Sequence, residues 1–349
     1  MKNFVSSRAL ALGFVTAFLV GCGSISSSPS PVPPSATPPA PQGAFVYFNN
    51  SFSQTAGYRL NPDGTLTLLA GSPFAINGRL AAAGRFLAVS SSDTLSTYLV
   101  DGSSGALTSV GSSPVQGGAI AADGNNVYIT GSIPANASTG IYGFALSSGG
   151  APTPLAGSPY LFAPACDLCE HPRTLALNNN VLLVGGIGFH SVGDFAVYRR
   201  MLGGALGTAL ILGGDLEDHV TVQHPAGKFS YALSTDASNL SEFTIDEGGR
   251  TTPGPQLPIG SGQDATVDAT GKFLLLVDDT GTVRVFTIDP AGGTLNQIGA
   301  SEAAGNGAFG IGMDPSGHFV IVSQSAFSGS LPARPARSPY SPLIPSAAL

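Results

Sequence analysis

A three-part phrase, repeated along most of the chain, constrains its fold more than any other feature. The first part is a turn centred on glycine or asparagine followed by an apolar strand: "AGRFLAVS" (83–90), "DGNNVYIT" (123–130), "NNNVLLV" (178–184), "AGKFSYALS" (226–234), "TGKFLLLV" (270–277) and "SGHFVIVS" (316–323). The second is an alternating strand that often ends in an acidic or polar turn, as in "AGYRLNPDG" (56–64), "STYLVDGSSG" (96–105), "IYGFALSSGG" (141–150), "DFAVYRR" (194–200), "SEFTIDEGG" (241–249) and "VRVFTIDPAGG" (283–293). The third closes the unit: "GTLTLLAGSPF" (64–74), "GALTSVGSSPV" (105–115), "GAPTPLAGSPY" (150–160), "GALGTALILGG" (204–214) and "GTLNQIGAS" (293–301). Each unit reads as four short strands, bounded by Gly, Asn, Asp and Pro and rich in Phe, Val, Leu, Ile and Tyr.

A period of about 40 to 55 residues is that of propeller blades. A single four-stranded sheet is marginal alone, whereas radial packing buries both of its faces, which suits strands this apolar. The pattern therefore predicts an all-β chain, a seven-bladed β-propeller of four-stranded antiparallel blades over 44–325, with six blades as the alternative. The strand "AFVYFNN" (44–50) opens the first unit without an innermost strand, and "AFGIGMDPSGHFVIVS" (308–323) comes last, so strands from both chain ends are expected to close the ring. The segment 326–349 is a proline-rich tail, and its prolines at 332, 335, 339, 342 and 345 cannot donate to an interior ladder. That tail is the feature that favours the smaller count.

The amino-terminal residues divide into two further segments. In 1–21, Lys2 and Arg8 precede an apolar run, Ala9 to Val20, too short to span a bilayer comfortably, which is the pattern of an export leader. It ends in "LVGC", which resembles the lipobox of bacterial lipoproteins and implies cleavage before Cys22 and acylation of its thiol and new amino terminus. Two or more acyl chains hold a protein on a membrane, so the membrane is an expected partner through Cys22. Residues 22–43 are Pro- and Ser-rich and read as an extended tether. The expected location is the cell envelope, at the outer membrane or in the periplasm, with the chain a monomer. Net charge is −7 over the whole chain, and only 10% of residues are charged. No basic stripe exists to neutralise phosphates, so no nucleic-acid partner is expected.

The "AGSPF" closings and the "DGTLTLL" and "SGALTSV" phrases resemble the β-propeller lactonase family, which includes bacterial 6-phosphogluconolactonases; the likeness runs over about 44 to 323. The resemblance implies hydrolysis of a lactone without metal or other cofactor. The matching motifs are scaffold motifs, which speak for fold more than activity. In a propeller the innermost strands converge on a central channel. The polar residues at the starts of those strands here are Arg79, His171 with Arg173, Asp218 with His219, Asp264 and Asn306. A lactonase needs a base and a cation for the oxyanion. His219 is the candidate base, Asp218 or Glu217 its orienting partner, and Arg79 or Arg173, with His171 nearby, the electrostatic clamp. "EHPRTLAL" (170–177) only partly echoes the Gly-Pro-Arg-His phrase of the enzymes. The run "DLEDH" (215–219) is rich in oxygen ligands, but neighbours on a strand point to opposite faces, and no metal is expected there. His224 and His318 lie in turns and read as surface groups.

The stretch "PACDLCEHPR" (164–173) holds Cys166 and Cys169. Haem attachment wants His directly after the second Cys, where Glu170 stands; zinc wants four ligands; a redox pair wants a helix start. With Cys22 lipidated, the remaining two in an oxidising compartment are expected to form a disulfide. Two functions follow: a binding or interaction module for a glycan, peptide or small lactone, or a lactone hydrolase.

Overall fold

The glycine turns of the repeat reverse the chain, and the strands between them pair with their sequence neighbours. The computed structural model describes residues 3–9, 18–20, 44–50, 54–133, 138–161, 174–178, 180–187, 194–213, 218–234, 238–246, 249–260, 262–278, 280–305, 308–314 and 316–325. Strand β1 (Asn3–Ala9) comes first. Blade I is β2 (Phe18–Val20), β3 (Ala44–Asn50), β4 (Gln54–Leu60) and β5 (Leu66–Leu68). Blade II is β6 (Arg79–Ala83), β7 (Phe86–Ser90), β8 (Thr94–Val100) and β9 (Leu107–Pro114). Blade III is β10 (Gly117–Ala122), β11 (Asn126–Ile133), β12 (Ser138–Leu146) and β13 (Pro152–Pro154), with β14 (Tyr160–Leu161) added on β12. Blade IV is β15 (Thr174–Leu177), β16 (Val181–Ile187), β17 (Asp194–Arg200) and β18 (Leu206–Gly213). Blade V is β19 (Asp218–Gln223), β20 (Phe229–Ser234), β21 (Asn239–Ile245) and β22 (Thr251–Pro258). Blade VI is β23 (Gly262–Val267), β24 (Phe273–Asp278), β25 (Thr282–Ile288) and β26 (Leu295–Ala303).

The innermost strands contact one another in the order β2, β6, β10, β15, β19, β23, and the circuit closes through β27 (Ala308–Met313), which touches both β23 and β2. β27 pairs antiparallel with β28 (Phe319–Ser325), whose other edge carries β1 in parallel. The chain is thus an all-β propeller with six four-stranded antiparallel blades, the smaller of the two counts, and the expected seventh blade is corrected to a three-stranded sheet. Among the described residues this sheet consists of β27, β28 and β1, and the prolines at 332, 335, 339, 342 and 345 have no N–H to give to a further ladder. Closure also differs in detail. Residues 308–323 do not supply the innermost strand of blade I; β2 does, and both β1 and β2 lie in the segment read as a leader.

The core lies between blades, in clusters shared by neighbours. Phe45, Tyr47 and Leu69 of blade I pack on Leu80, Leu87 and Val89 of blade II. Alanines 81, 83 and 88 of blade II pack on Ile120, Val127 and Ile129 of blade III. Polar staples repeat with the same logic. Tyr47 donates to the Gly105 carbonyl of the next blade at 2.6 Å, Tyr128 to Gly204 at 2.5 Å and Tyr231 to Gly293 at 2.7 Å. Each such bond contributes about 1 kcal/mol. The acceptors are the glycines that open the third phrase, and Gly293 shows why no other residue stands there. Its φ is +80°, and a methyl group would fall 2.4 Å from the Phe229 ring.

His224 corrects a sequence expectation. It is buried, not a surface group: Nδ1 accepts from the Ala226 N–H at 3.1 Å, so Nε2 donates to the Gly271 carbonyl of blade VI at 2.9 Å. The neighbouring blade covers the turn, which a single repeat does not reveal. His318 is exposed.

Candidate site at the channel mouth

A four-stranded up-and-down sheet returns the chain to the end from which it started, so every innermost strand begins at the same end of the ring. Arg79 opens β6, Gly117 β10, Thr174 β15, Asp218 β19, Gly262 β23 and Ala308 β27. Their register partners on the second strands stand beside them: Ser90, Gly131, Gly185, Ser234, Asp278 and Gln324. These residues form the rim of the mouth.

The rim is held by side chains at the ends of second strands. Asn49 donates to the Gly78 carbonyl, Gln324 to the Ala304 carbonyl, and Thr130 Oγ1 accepts from the Ala119 N–H at 2.8 Å. The first two bonds tie a sheet to the connection that leads into an innermost strand, and the third ties β11 to β10 within blade III. Asp278 accepts from the Thr280 and Thr282 N–H groups and pairs with Arg284 at 3.2 Å.

Two charged rim residues have perturbed acidity. Burial pulls the Arg79 guanidinium below its ordinary range, although it stays charged at neutral pH. Asp264 sits where the β23–β24 register shifts. Its Oδ2 accepts from the Ile311 N–H of β27 at 2.9 Å and its Oδ1 from the Ala265 N–H at 2.9 Å. Burial pushes its pKa up to about 7, against those two bonds, which pull it down.

Of the residues singled out from sequence, Arg79, Asp218, His219 and Asp264 come to this one end on three different blades. For Asp218 and His219 it is the backbone of β19 that places them. His171, Arg173, Glu217 and Asn306 lie outside the described residues, as do Cys22, Cys166 and Cys169. Among the described residues no group of three or more His, Cys, Asp or Glu is placed to hold a metal. Sequence reasoning missed Ser90 and the Asp278–Arg284 pair. The only hint was a polar residue ending an otherwise apolar strand.

Polar side chains are also spread unevenly. Innermost strands "TLAL", "DHVTVQ" and "GQDATV" make three consecutive sectors with hydroxyl, amide and acid groups, while "GGAIAA" and "AFGIGM" are almost wholly apolar. The mouth therefore has a polar half facing a plain one, with Arg79 of "RLAAA" as the cation on the plain side.

Neither a protein-family model nor a curated protein matches this sequence. Solved structures do. A periplasmic gluconolactonase of Pseudomonas aeruginosa superposes with a TM-score of 0.59 at 16% identity, over 78% of this chain and 85% of its own. Several of the neighbours are lactonase-like propellers. A Bacteroides fragilis protein provisionally named a 6-phosphogluconolactonase gives 0.56 at 17% identity, over 75% of this chain and 82% of its own. A Kuenenia stuttgartiensis hydrazine synthase chain gives 0.55 at 14%, over 82% and 94%. Similarity at this level establishes the propeller fold, and one architecture serving two unrelated chemistries leaves function to the residues of the mouth.

Proposed function

We propose that this chain is an exported, lipid-tethered β-propeller that binds a small hydroxylated ligand of the lactone class at its channel mouth. The observation that carries this reading is the arrival of Arg79, Asp218, His219 and Asp264 at one rim from distant parts of the sequence. Convergent polar groups on an otherwise apolar concave surface are the usual form of a small-molecule site. Cleavage before Cys22 would remove β1 and β2, so the lipid-tethered form would have its ring without the innermost strand of blade I; in that form Cys22 anchors the protein through lipid, residues 22–43 hold it away from the bilayer, and a Cys166–Cys169 disulfide stiffens the loop leading to β15. Labelled palmitate should enter the wild-type protein in a bacterial host and be absent from Cys22→Ser; equal labelling of both would remove the anchor.

A second reading, hydrolysis, is favoured by Asp264, whose carboxyl exchanges a proton near neutrality on the rim that also carries His219. Water would add to the acyl carbon, with His219 taking its proton, and the ring C–O bond would break as the ring oxygen is protonated. Calorimetric titration of the full chain in detergent with glucono-1,5-lactone tests the first reading, with saturable binding below about 1 mM expected. Acid release in a pH-stat tests the second: turnover lost in His219→Ala supports hydrolysis, and binding without turnover leaves the binding module alone. No saturable binding of any sugar lactone would sink both.

A further inference from the structure

In each blade the third strand runs into a turn at the end of the ring opposite the mouth, and in five of the six a short polar residue opens that turn. Asn61, Asp101, Ser147, Asp246 and Asp289 hold the position, each with its own N–H bonded to the far side of the turn. Their side chains satisfy the turn as well. Asp101 accepts from the Ser104 N–H at 2.7 Å, Ser147 Oγ from Ala151 at 3.0 Å and Asp246 from Arg250 at 2.8 Å. In blade IV the same position falls to Met201. Its N–H donates to the Ala205 carbonyl at 2.7 Å, as in the sister turns, but its side chain gives the turn no hydrogen bond.

Met201 is 54% exposed, and Leu202 beside it is fully exposed. The turn that carries them is pinned. The Gly204 N–H donates to the Met201 carbonyl at 3.0 Å, and Tyr128 of blade III holds the Gly204 carbonyl. An isolated exposed apolar residue is ordinary, whereas two in succession at the tip of a fixed turn, where the sister turns are polar, point to something that covers them. Arg199, two residues before Met201, is exposed too. The same end of the ring presents Arg85, Lys228, Arg250 and Lys272, all exposed. Its acids, Asp101, Asp246 and Asp289 among them, are bonded to N–H groups of their own turns. Charge there is balanced, so the apolar turn leads.

Where the rest of the chain joins the ring says what the cover is. Second strands start at the end opposite the mouth, and β3 starts there at Ala44, in register with Leu60 at the end of β4. Residues 22–43 therefore meet the ring at the end that carries Met201 and Leu202. Two side chains fall far short of the roughly 800 Å² per partner that a stable protein interface buries. A bilayer surface, by contrast, takes up a small apolar projection flanked by cations. We propose that the Met201–Leu202 turn is a membrane-docking tip: the two side chains enter the acyl boundary of a phospholipid bilayer, Arg199 meets the lipid phosphates, and the mouth faces away from the membrane. The proposal rests on reading the chain as membrane-tethered, and it adds the surface that touches the lipid and the orientation of the ring.

The chain contains no tryptophan, so Leu202→Trp introduces a single fluorescent reporter. The full chain carrying it is reconstituted into vesicles of phosphatidylcholine and phosphatidylglycerol. Its emission should shift to the blue, and should fall about twofold or more when the acyl chains carry bromine. Ser92→Trp, exposed in the β7–β8 turn at the mouth, should keep the spectrum of a water-exposed ring and escape quenching. Met201→Asp, which restores the residue type of the sister turns, should remove about half or more of the quenching seen in Leu202→Trp. An unquenched Leu202→Trp, or equal quenching of Leu202→Trp and Ser92→Trp, would overturn the docking tip. Should Leu202→Trp fail to fold, Met201→Trp reads the same turn by the same criteria. A blue shift that grows with protein concentration in the absence of vesicles would give the turn to a second copy of the chain and overturn the lipid assignment. Palmitate labelling separates tip from tether. Labelled wild type with an unquenched Leu202→Trp sinks the tip and keeps the tether, while quenching of Leu202→Trp in a Cys22→Ser background, with no palmitate entering the wild type, does the reverse.

Discussion

Arg200→Met should lower the free energy of unfolding by about 3 kcal/mol. Arg200 ends β17, and its side chain is only 6% exposed. It pairs with Asp123 in the β10–β11 turn, donates through Nε to the Tyr128 hydroxyl at 3.2 Å, and donates through Nη1 to the Asn178 carbonyl at 2.6 Å. Its guanidinium also lies over the Tyr128 ring, 5.5 Å from the centroid. One side chain therefore joins blades III and IV at the end of the ring opposite the mouth. Methionine matches the length and apolar stem but leaves the Asn178 carbonyl and the Asp123 carboxylate without their cation. Asp123 is 31% exposed and recovers part of its loss from water, which keeps the expected cost at the lower end for a broken buried pair.

Lysine is no substitute there, because one ammonium cannot reach three acceptors arranged as a fork, so Arg200→Lys should recover less than half of the loss. Urea denaturation followed by circular dichroism measures both variants. Asp123→Ala should cost less alone, and added to Arg200→Met it should cost almost nothing further, since the shared interaction is already gone. A midpoint shift for Arg200→Met equivalent to less than about 1 kcal/mol would mean that the pair contributes no more than an exposed salt bridge.

How much of this was legible in the sequence depended on whether the physics was local. The closings "AGSPF" and "AGSPY" recur because they do the same work: Ser72 Oγ accepts from the Gly57 N–H and Ser158 Oγ from the Gly143 N–H, each at 2.9 Å. The glycine opening each third phrase was visible as a repeat, although its role as acceptor for the previous blade was not. The incomplete last sheet could not be read from "FVIVSQS", since an apolar strand looks the same whether or not a third antiparallel strand follows. Only the prolines beyond it carried the warning. At the mouth, Arg79 and Asp264 were found because they begin or interrupt innermost strands. Ser90 was missed because its surroundings depend on Gly117, a neighbour that only the packing of blade III on blade II supplies.

Asp264 yields the other large effect, a fall in stability as pH rises through the acid-to-neutral range. In the unfolded chain its carboxyl titrates near the ordinary value of about 4, whereas in the folded ring burial carries it up to about 7. Between those values the folded protein keeps a proton that the unfolded chain has released. Unfolding therefore releases a proton, and stability declines as pH rises from about 4 to about 7. Above that range both states are ionised and the loss is complete, on the order of 3 kcal/mol relative to pH 4. Asp264→Asn removes the titration, and although its single amide oxygen can accept from only one of the Ile311 and Ala265 N–H groups, its stability should stay nearly level over the same range. Buried Glu242 shifts in the same direction, and hydrogen bonds hold Asp63 and Asp101 below their ordinary range, so the latter two act at pH values beneath this window. Every other ionisable group is common to both proteins. The difference between wild type and Asp264→Asn in urea unfolding at pH 4.5, 6, 7.5 and 8.5 (on the order of one pH unit apart, as the shift requires) thus isolates the single carboxyl. Parallel curves would show that Asp264 ionises as it does in water, and the hydrolytic reading would lose the support of that carboxyl.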